Sequence, residues 1–245
     1  MQLFTILKNK ASRVLDWVYP RICPECGKLC DREARHLCWD CFQSIELYRE
    51  GLCEKCGQPT EGAVHHAFLC GACRKHPYAF DRARATAVYQ GVLSNQLQAF
   101  KYNQALWLKE DLVDLLEGGV HAHYDCAAID LIVPVPLHFL RLHKRTYNQA
   151  AVLAQALAQR LDRSCDTQSL IRTHQTATQT RFHAQQRQQN VKGAFRVVRP
   201  AWIRQRNILL IDDVMTTGAT VGECSRVLKA AGANKVVVLT VARGK

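Results

Sequence analysis

No apolar run in this 245-residue sequence approaches the ~18 residues that a bilayer-crossing helix needs. The N-terminal Leu3-Phe4-Thr5-Ile6-Leu7 is stopped by Lys8 and Lys10, so no signal peptide and a cytoplasmic chain are expected. Low-complexity sequence is missing as well. Apolar residues make up 48% and charged residues 22%, near the globular average, which excludes wholesale disorder and collagen-like or mucin-like architectures. Acidic residues are scarce in one region: residues 136–206 hold thirteen Lys and Arg against Asp162 and Asp166, a local +11, while the rest nearly balances at 20 against 19. The formal net charge of +12 is therefore a regional field, suited to phosphate-bearing partners. Residues 21–77 are poor in aliphatic side chains and cannot build a core alone; what they hold instead is cysteine.

Eight of the twelve cysteines form four Cys-x-x-Cys pairs, Cys23/Cys26, Cys38/Cys41, Cys53/Cys56 and Cys70/Cys73. In a chain read as cytoplasmic, such clustering points to metal rather than to disulfides. Eleven residues separate the first two pairs and thirteen the last two, spacings that suit four-cysteine zinc ribbons. Each turn directs two thiolates at one ion, and two turns complete a tetrahedron with no open position for substrate. Two structural Zn²⁺ ions are expected, their binding energy standing in for the missing core. Contact locality favours sequential pairing over a cross-braced arrangement. Cys30 could substitute for one of these ligands, Cys126, Cys165 and Cys224 read as packing residues, and His65, His66 and His76 are not needed.

Three segments follow from patterning. Residues 1–20 read as an amphipathic helix closed by Pro20, residues 21–77 as the double zinc ribbon, and residues 78–245 as an α/β domain with a largely parallel sheet. In the last, strands are expected at Arg84–Gln90, Ile129–Val133, Ala194–Val198, Asn207–Ile211 and Lys235–Val241. Helices are expected at about 93–101, 105–117, Tyr147–Leu161 and Val221–Ala231, the last closed by Gly232. The Gln-rich Thr173–Asn190 reads as a mobile loop or an exposed helix.

The most specific segment is Ile208-Leu209-Leu210-Ile211-Asp212-Asp213-Val214-Met215-Thr216-Thr217-Gly218-Ala219-Thr220. A buried strand ends in two acids, and a hydroxyl-rich turn opens the next helix. Backbone N–H groups of residues 216–220 would converge there at a helix N-terminus, where a phosphate is favoured, with the hydroxyls of Thr216, Thr217 and Thr220 adding donors. Gly218 lets the backbone come close. Two acids beside a phosphate pocket would repel the ligand unless they face hydroxyls or a metal. Asp212 and Asp213 are accordingly assigned to the ribose hydroxyls of a ribose 5-phosphate group, with Mg²⁺ bridging to a pyrophosphate.

This segment resembles the phosphoribosyl diphosphate (PRPP) motif of type I phosphoribosyltransferases. Val133-Pro134-Val135-Pro136-Leu137-His138, followed by Arg141, Lys144, Arg145 and Tyr147-Asn148-Gln149-Ala150, narrows the resemblance to the ComF/GntX (competence protein F) family. The same family pattern includes Phe100-Lys101-Tyr102 and the spaced Thr176, Gln179, Arg187, Asn190, Ala194 and Phe195. Thr146-Tyr147 stand where the family usually carries Gly-Phe.

The resemblance implies a type I phosphoribosyltransferase-like parallel sheet with helices on both faces, preceded by a small double zinc ribbon. It implies PRPP contacts from Lys101, Arg141, Lys144, Arg145, Asp212, Asp213, Thr216, Thr217, Gly218, Ala219 and Thr220. Asp212, Asp213 and Arg145 take the catalytic roles if transfer occurs, and the Thr173–Asn190 stretch with Arg181 and Arg187 closes over the site. The role implied is competence: handling of imported single-stranded DNA during natural transformation, alongside a competence helicase or recombination-mediator proteins. Charge also suits single-stranded DNA, for which Tyr102, Trp107, Phe139, Tyr147 and Phe182 could offer stacking faces, although aromatics so placed are more often core residues. A metabolic enzyme moving ribose 5-phosphate from PRPP to a nitrogen acceptor in nucleotide salvage is the other reading.

Overall fold

A computed structural model describes residues 21–30, 36–60, 67–75, 77–174 and 191–244. The helix expected over 1–20, the three histidines at 65, 66 and 76, and Arg181, Phe182 and Arg187 lie outside the described residues. The chain divides into two compact units, one ending at Ile45 and the other beginning at Glu46, so the two cysteine tetrads fall in different units.

In the first unit, a tight turn around Cys23 and Cys26 precedes a short helix, α1 (Trp39–Gln43), which carries Cys41. The second unit repeats the arrangement with a turn around Cys53 and Cys56 and a helix α2 (Gly71–Lys75) carrying Cys73. The chain then enters a sheet of β1 (Arg82–Val88), β2 (Leu131–Pro134), β3 (Ser164–Cys165), β6 (Asn207–Met215) and β7 (Lys235–Arg243) in the order β1-β7-β6-β2-β3. All neighbours in it are parallel. A separate antiparallel pair, β4 (Leu170–Arg172) and β5 (Phe195–Val197), flanks residues 175–190.

Because strand side chains alternate, each central strand serves two cores. Ile208, Leu210, Val236 and Val238 cluster with Val221, Cys224 and Leu228 of α7 (Ala219–Ala230). The opposite face meets α4 (Lys109–His123) and α6 (Gln149–Leu161), and there Gly119 lies so close to Leu239 and Thr86 that a Cβ would clash with the Thr86 hydroxyl. Helices α3 (Gly91–Tyr102) and α5 (Phe139–Arg145) complete the unit. The expected parallel sheet with helices on both faces is present.

Several boundaries differ from expectation for local reasons. The helix expected to end near 117 runs to His123, because Gly119 is a point of close helix–sheet approach rather than a stop. The Asn207–Ile211 strand continues through both acids to Met215, since β7 pairs with it as far as Arg243. The segment that carries Arg141, Lys144 and Arg145 is helical over Phe139–Arg145. Strands β3 and β4, of two and three residues, are too short to show a period.

Strand β1 is an edge, and residues 46–55 cover it. Val88 N–H donates to Glu46 at 2.9 Å, Tyr48 N–H to Thr86 at 3.0 Å and Ala83 N–H to Lys55 at 2.8 Å. The otherwise open ladder is thereby paired by the polypeptide that carries the second tetrad.

Candidate functional site: two cysteine tetrads and a strand–loop–helix corner

Each tetrad brings four Sγ atoms within 4.8 Å of one another, Cys23/Cys26/Cys38/Cys41 in one and Cys53/Cys56/Cys70/Cys73 in the other. Cys26 and Cys38 lie 3.5 Å apart and Cys56 and Cys70 3.6 Å apart, near the ~3.8 Å edge of a tetrahedron with ~2.3 Å Zn–S bonds. The donor set therefore fits two structural zinc ions, paired sequentially. Cys30 stays outside its tetrad and donates to the His36 carbonyl at 3.3 Å.

The two turns share one hydrogen-bond plan. Cys23 N–H donates to Lys28 and Gly27 N–H to Cys23; thirty residues on, Cys53 N–H donates to Gln58 and Gly57 N–H to Cys53. Gly27 and Gly57 both have positive φ, +73° and +68°. In the second turn a side chain is also excluded by space, because a Cβ on Gly57 would meet the Ala83 carbonyl at 2.8 Å.

The carbonyls of the second turn are taken up by two buried arginines of the sheet. Arg84 donates to Cys53 and Glu54 at 3.1 and 3.2 Å, and Arg243 to Cys56 at 2.7 Å and to the Gln58 side chain at 3.0 Å. Sequence reasoning missed both, since an arginine inside a strand pattern reads as solvent-facing.

At the C-terminal end of β6 the expected corner forms. Asp213 is buried and Asp212 half-buried. The Asp212 carboxylate accepts from Asp213 N–H at 2.9 Å, and that of Asp213 from Val214 N–H at 2.6 Å. Lys101, at the last turn of α3, places its Nζ 3.0 Å from Asp213 Oδ2. Burial and the neighbouring Asp213 push the Asp212 carboxyl up to about 8. Burial would lower the Lys101 ammonium, but the two carboxylates outweigh it and its pKa stands above the usual lysine range. The cluster thus already holds one internal cation.

Beyond Met215 the chain turns through Thr216 and Thr217 to Gly218, which caps α7 with φ +79°. The Thr217 hydroxyl accepts from Ala219 N–H at 3.4 Å. The first-turn N–H groups of this 12-residue helix and the adjacent acids are chemically complementary to groups of opposite character, the donors to an anion and the acids to hydroxyls.

Helix α5 brings Arg141 and Arg145 beside Tyr102, the residue after Lys101. Arg145 lies 4.9 Å over the Tyr102 ring, donates to its hydroxyl at 3.1 Å and to Gln149 at 3.2 Å. Burial, then the charge of Arg145, lower the pKa of Arg141. Tyr147 donates to the Phe100 carbonyl, its ring edge-on to Phe100 at 5.5 Å, and Gln149 donates to the Lys101 carbonyl at 3.5 Å. These contacts explain why Phe100-Lys101-Tyr102 and Arg145–Gln149 occur as linked motifs. The Lys144 side chain is outside the described residues. A residue not expected at the site is Arg172 of β4, whose charge is felt at Asp212 and whose guanidinium lies 5.2 Å over Phe195. Its only sequence signal is its place just before the Thr173–Asn190 stretch.

Comparison with known proteins follows this geometry. Residues 14–75 match the double zinc ribbon domain. Competence protein F of Haemophilus influenzae is 31% identical over 220 residues, spanning 84% of this chain and 96% of that protein. The chain belongs to the competence protein F family. Another of its relatives, DNA utilization protein YhgH of Escherichia coli K12, is 33% identical over 221 residues with the same coverage. Solved structures with partial likeness include a glutamine PRPP amidotransferase from B. subtilis complexed with ADP and GMP (17% identity, TM-score 0.37, 54% of this chain and 26% of that one). A purine phosphoribosyltransferase from Pyrococcus horikoshii is 13% identical with a TM-score of 0.37, covering 57% of this chain and 85% of that one. Among the described residues of this family member, no helix is long and apolar enough to cross a membrane.

Proposed function

We propose that the Asp212–Thr220 corner binds Mg²⁺–PRPP or a related ribose 5-phosphate. The observation that carries this reading is the juxtaposition of the Asp212–Asp213 pair, buried at Asp213 and half-buried at Asp212, with the N-terminus of α7. Few ligands want both a phosphate cradle and two carboxylates; a ribose bearing a 5-phosphate does. The N–H groups and hydroxyls of Thr216, Thr217, Gly218, Ala219 and Thr220 take the phosphate, while Asp212 and Asp213 accept from the ribose hydroxyls. Lys101, Arg141, Lys144 and Arg145 supply positive charge for the pyrophosphate. Mg²⁺, when bound with the ligand, would neutralise the departing diphosphate. If transfer occurs, the C1–oxygen bond to pyrophosphate breaks as a nitrogen acceptor bonds to C1, and this chain's residues act by positioning and charge.

In the cell, we propose, the chain works in the cytoplasm on imported single-stranded DNA during transformation. The names of its relatives, competence protein F and DNA utilization protein, support this, as does the +11 segment. Melting in millimolar PRPP with and without Mg²⁺ tests the site: a Mg²⁺-dependent rise is expected in the native chain and none in Asp213→Ala. No rise in the native chain would sink the ligand reading. For the cellular role, an Asp212→Ala/Asp213→Ala chain should give few recombinants despite normal DNA uptake. Base-dependent pyrophosphate release together with undiminished transformation would favour nucleotide salvage instead.

A further inference from the structure

We propose that Tyr78 is a positioning residue through which the second cysteine tetrad fixes the backbone of the Thr216–Thr220 loop. Its functional meaning rests on the ribose-phosphate reading above, but the tether itself is a property of the ligand-free chain.

Tyr78 follows the last cysteine of the second tetrad by five residues and packs against the cluster that holds Cys53, Cys56 and Cys73. Its ring stacks on the buried Phe80 with centroids 4.9 Å apart and planes 11° from parallel. From there its hydroxyl donates to the Thr217 carbonyl at 2.5 Å. The ring also occupies the space that side chains at two glycines would need. A Cβ at Gly222 would lie 2.9 Å from Cδ1, and one at Gly218 would touch the ring at 3.6 Å. Gly222 stands inside a helix, where glycine is unfavourable relative to alanine, and the Tyr78 ring fills the space a larger side chain there would need.

The hydrogen bond falls on the peptide that matters most. In a trans peptide the C=O and the following N–H point in opposite directions. Holding the Thr217 carbonyl toward Tyr78 therefore directs the Gly218 N–H away from the tetrad. A peptide that precedes glycine is otherwise the one most free to flip, because glycine accepts φ of either sign. With the flip blocked, Gly218 stays at φ +79° and caps α7.

A second tie reaches the same loop from the other flank. Arg243 donates to the Cys56 carbonyl, pairs in register with Met215, and is followed by Gly244, whose N–H donates to the Met215 carbonyl at 3.0 Å. The tetrad side thus grips the loop at its entry through Arg243 and at its centre through Tyr78.

Hydrogen exchange of the full zinc-loaded chain, without ligand, tests the tether. In Tyr78→Phe, which keeps the ring, amides of residues 216–222 should exchange severalfold faster, with residues 207–211 unchanged and the melting temperature and zinc content nearly so. Cys70→Ser, which disables the second tetrad, should expose the same amides at least as much. PRPP affinity, measured in parallel, should fall roughly three- to tenfold in Tyr78→Phe, the scale of one hydrogen bond. A purely structural role would lower the melting temperature and leave the exchange of 216–222 in step with the rest of the sheet. Unchanged protection of 216–222 in either variant overturns the inference. Faster exchange in both variants, in a chain that binds no PRPP at all, would uphold the tether while refuting the ligand reading.

Discussion

Thr146 carries a β-branched side chain at φ +67°, a left-handed conformation that costs a non-glycine residue about 1–2 kcal/mol. It ends α5 and hands the chain to Tyr147, whose contacts with Phe100 bring the Lys101 segment to the site. Its presence where relatives usually carry glycine was legible as a departure, but the strain was not, because φ depends on where α5 stops. Thr146→Gly should raise the urea midpoint with an unchanged slope, by about 1 kcal/mol. Asp212 carries the other residue-scale consequence. An unfolded aspartate ionises near ~4, whereas in the folded chain burial and Asp213 hold this carboxyl at about 8. The stability this raised pKa contributes is complete below pH ~4 and is lost as pH climbs through about 8. Asp212→Asn should therefore gain on the native chain steadily between about pH 4 and pH 8 in ligand-free unfolding and level off above, and a gap independent of pH would contradict that cause.

At the scale of elements, the Cys-x-x-Cys turns were readable because metal geometry fixes spacing locally, with no need for a core. What no spacing conveys is how the second turn is held. Arg84 is 2% exposed in a seven-residue strand, a position that sequence patterning assigns to solvent. It is buried because carbonyls at Cys53, Glu54 and Ala83 accept from it. The second tetrad is thereby continuous with the core beneath α7, which includes Cys53, Cys56 and Cys73. Losing one thiolate should cost more than a metal: it should loosen the strand-side carbonyls and leave Arg84 and Arg243 without acceptors. Cys53→Ser should reduce elemental zinc from two ions per chain toward one and destabilise the Glu46–Lys245 unit by an amount on the order of several kcal/mol. Native chain purified without chelator yet lacking zinc would refute the metal assignment itself.

Across the molecule, direction along β6 separates the two charge-dependent activities proposed above. The strand has nine residues and so spans roughly 30 Å, with the Thr216–Thr220 loop after its end and Arg199, Arg204 and Arg206 before its start. The sequence placed all of these residues in one basic stretch followed by one acidic motif; only the ladder shows that they belong to opposite rims of the sheet. Beside those arginines, Trp202 is 54% exposed, a stacking face that patterning did not single out. A pyrophosphate needs focused charge at Arg141 and Arg145, whereas a single strand engages dispersed charge along a surface. Replacing Arg199, Arg204 and Arg206 with glutamine should therefore leave Mg²⁺–PRPP stabilisation intact. The same variant should weaken single-stranded DNA binding and flatten its log–log salt dependence by roughly 0.7 per lost phosphate contact. If PRPP stabilisation fell in step with DNA binding, the two rims would be acting as one site. If the native chain bound no single strand at low salt, the basic rim would be left to dock an acidic protein partner, and the DNA would be reached only through that partner.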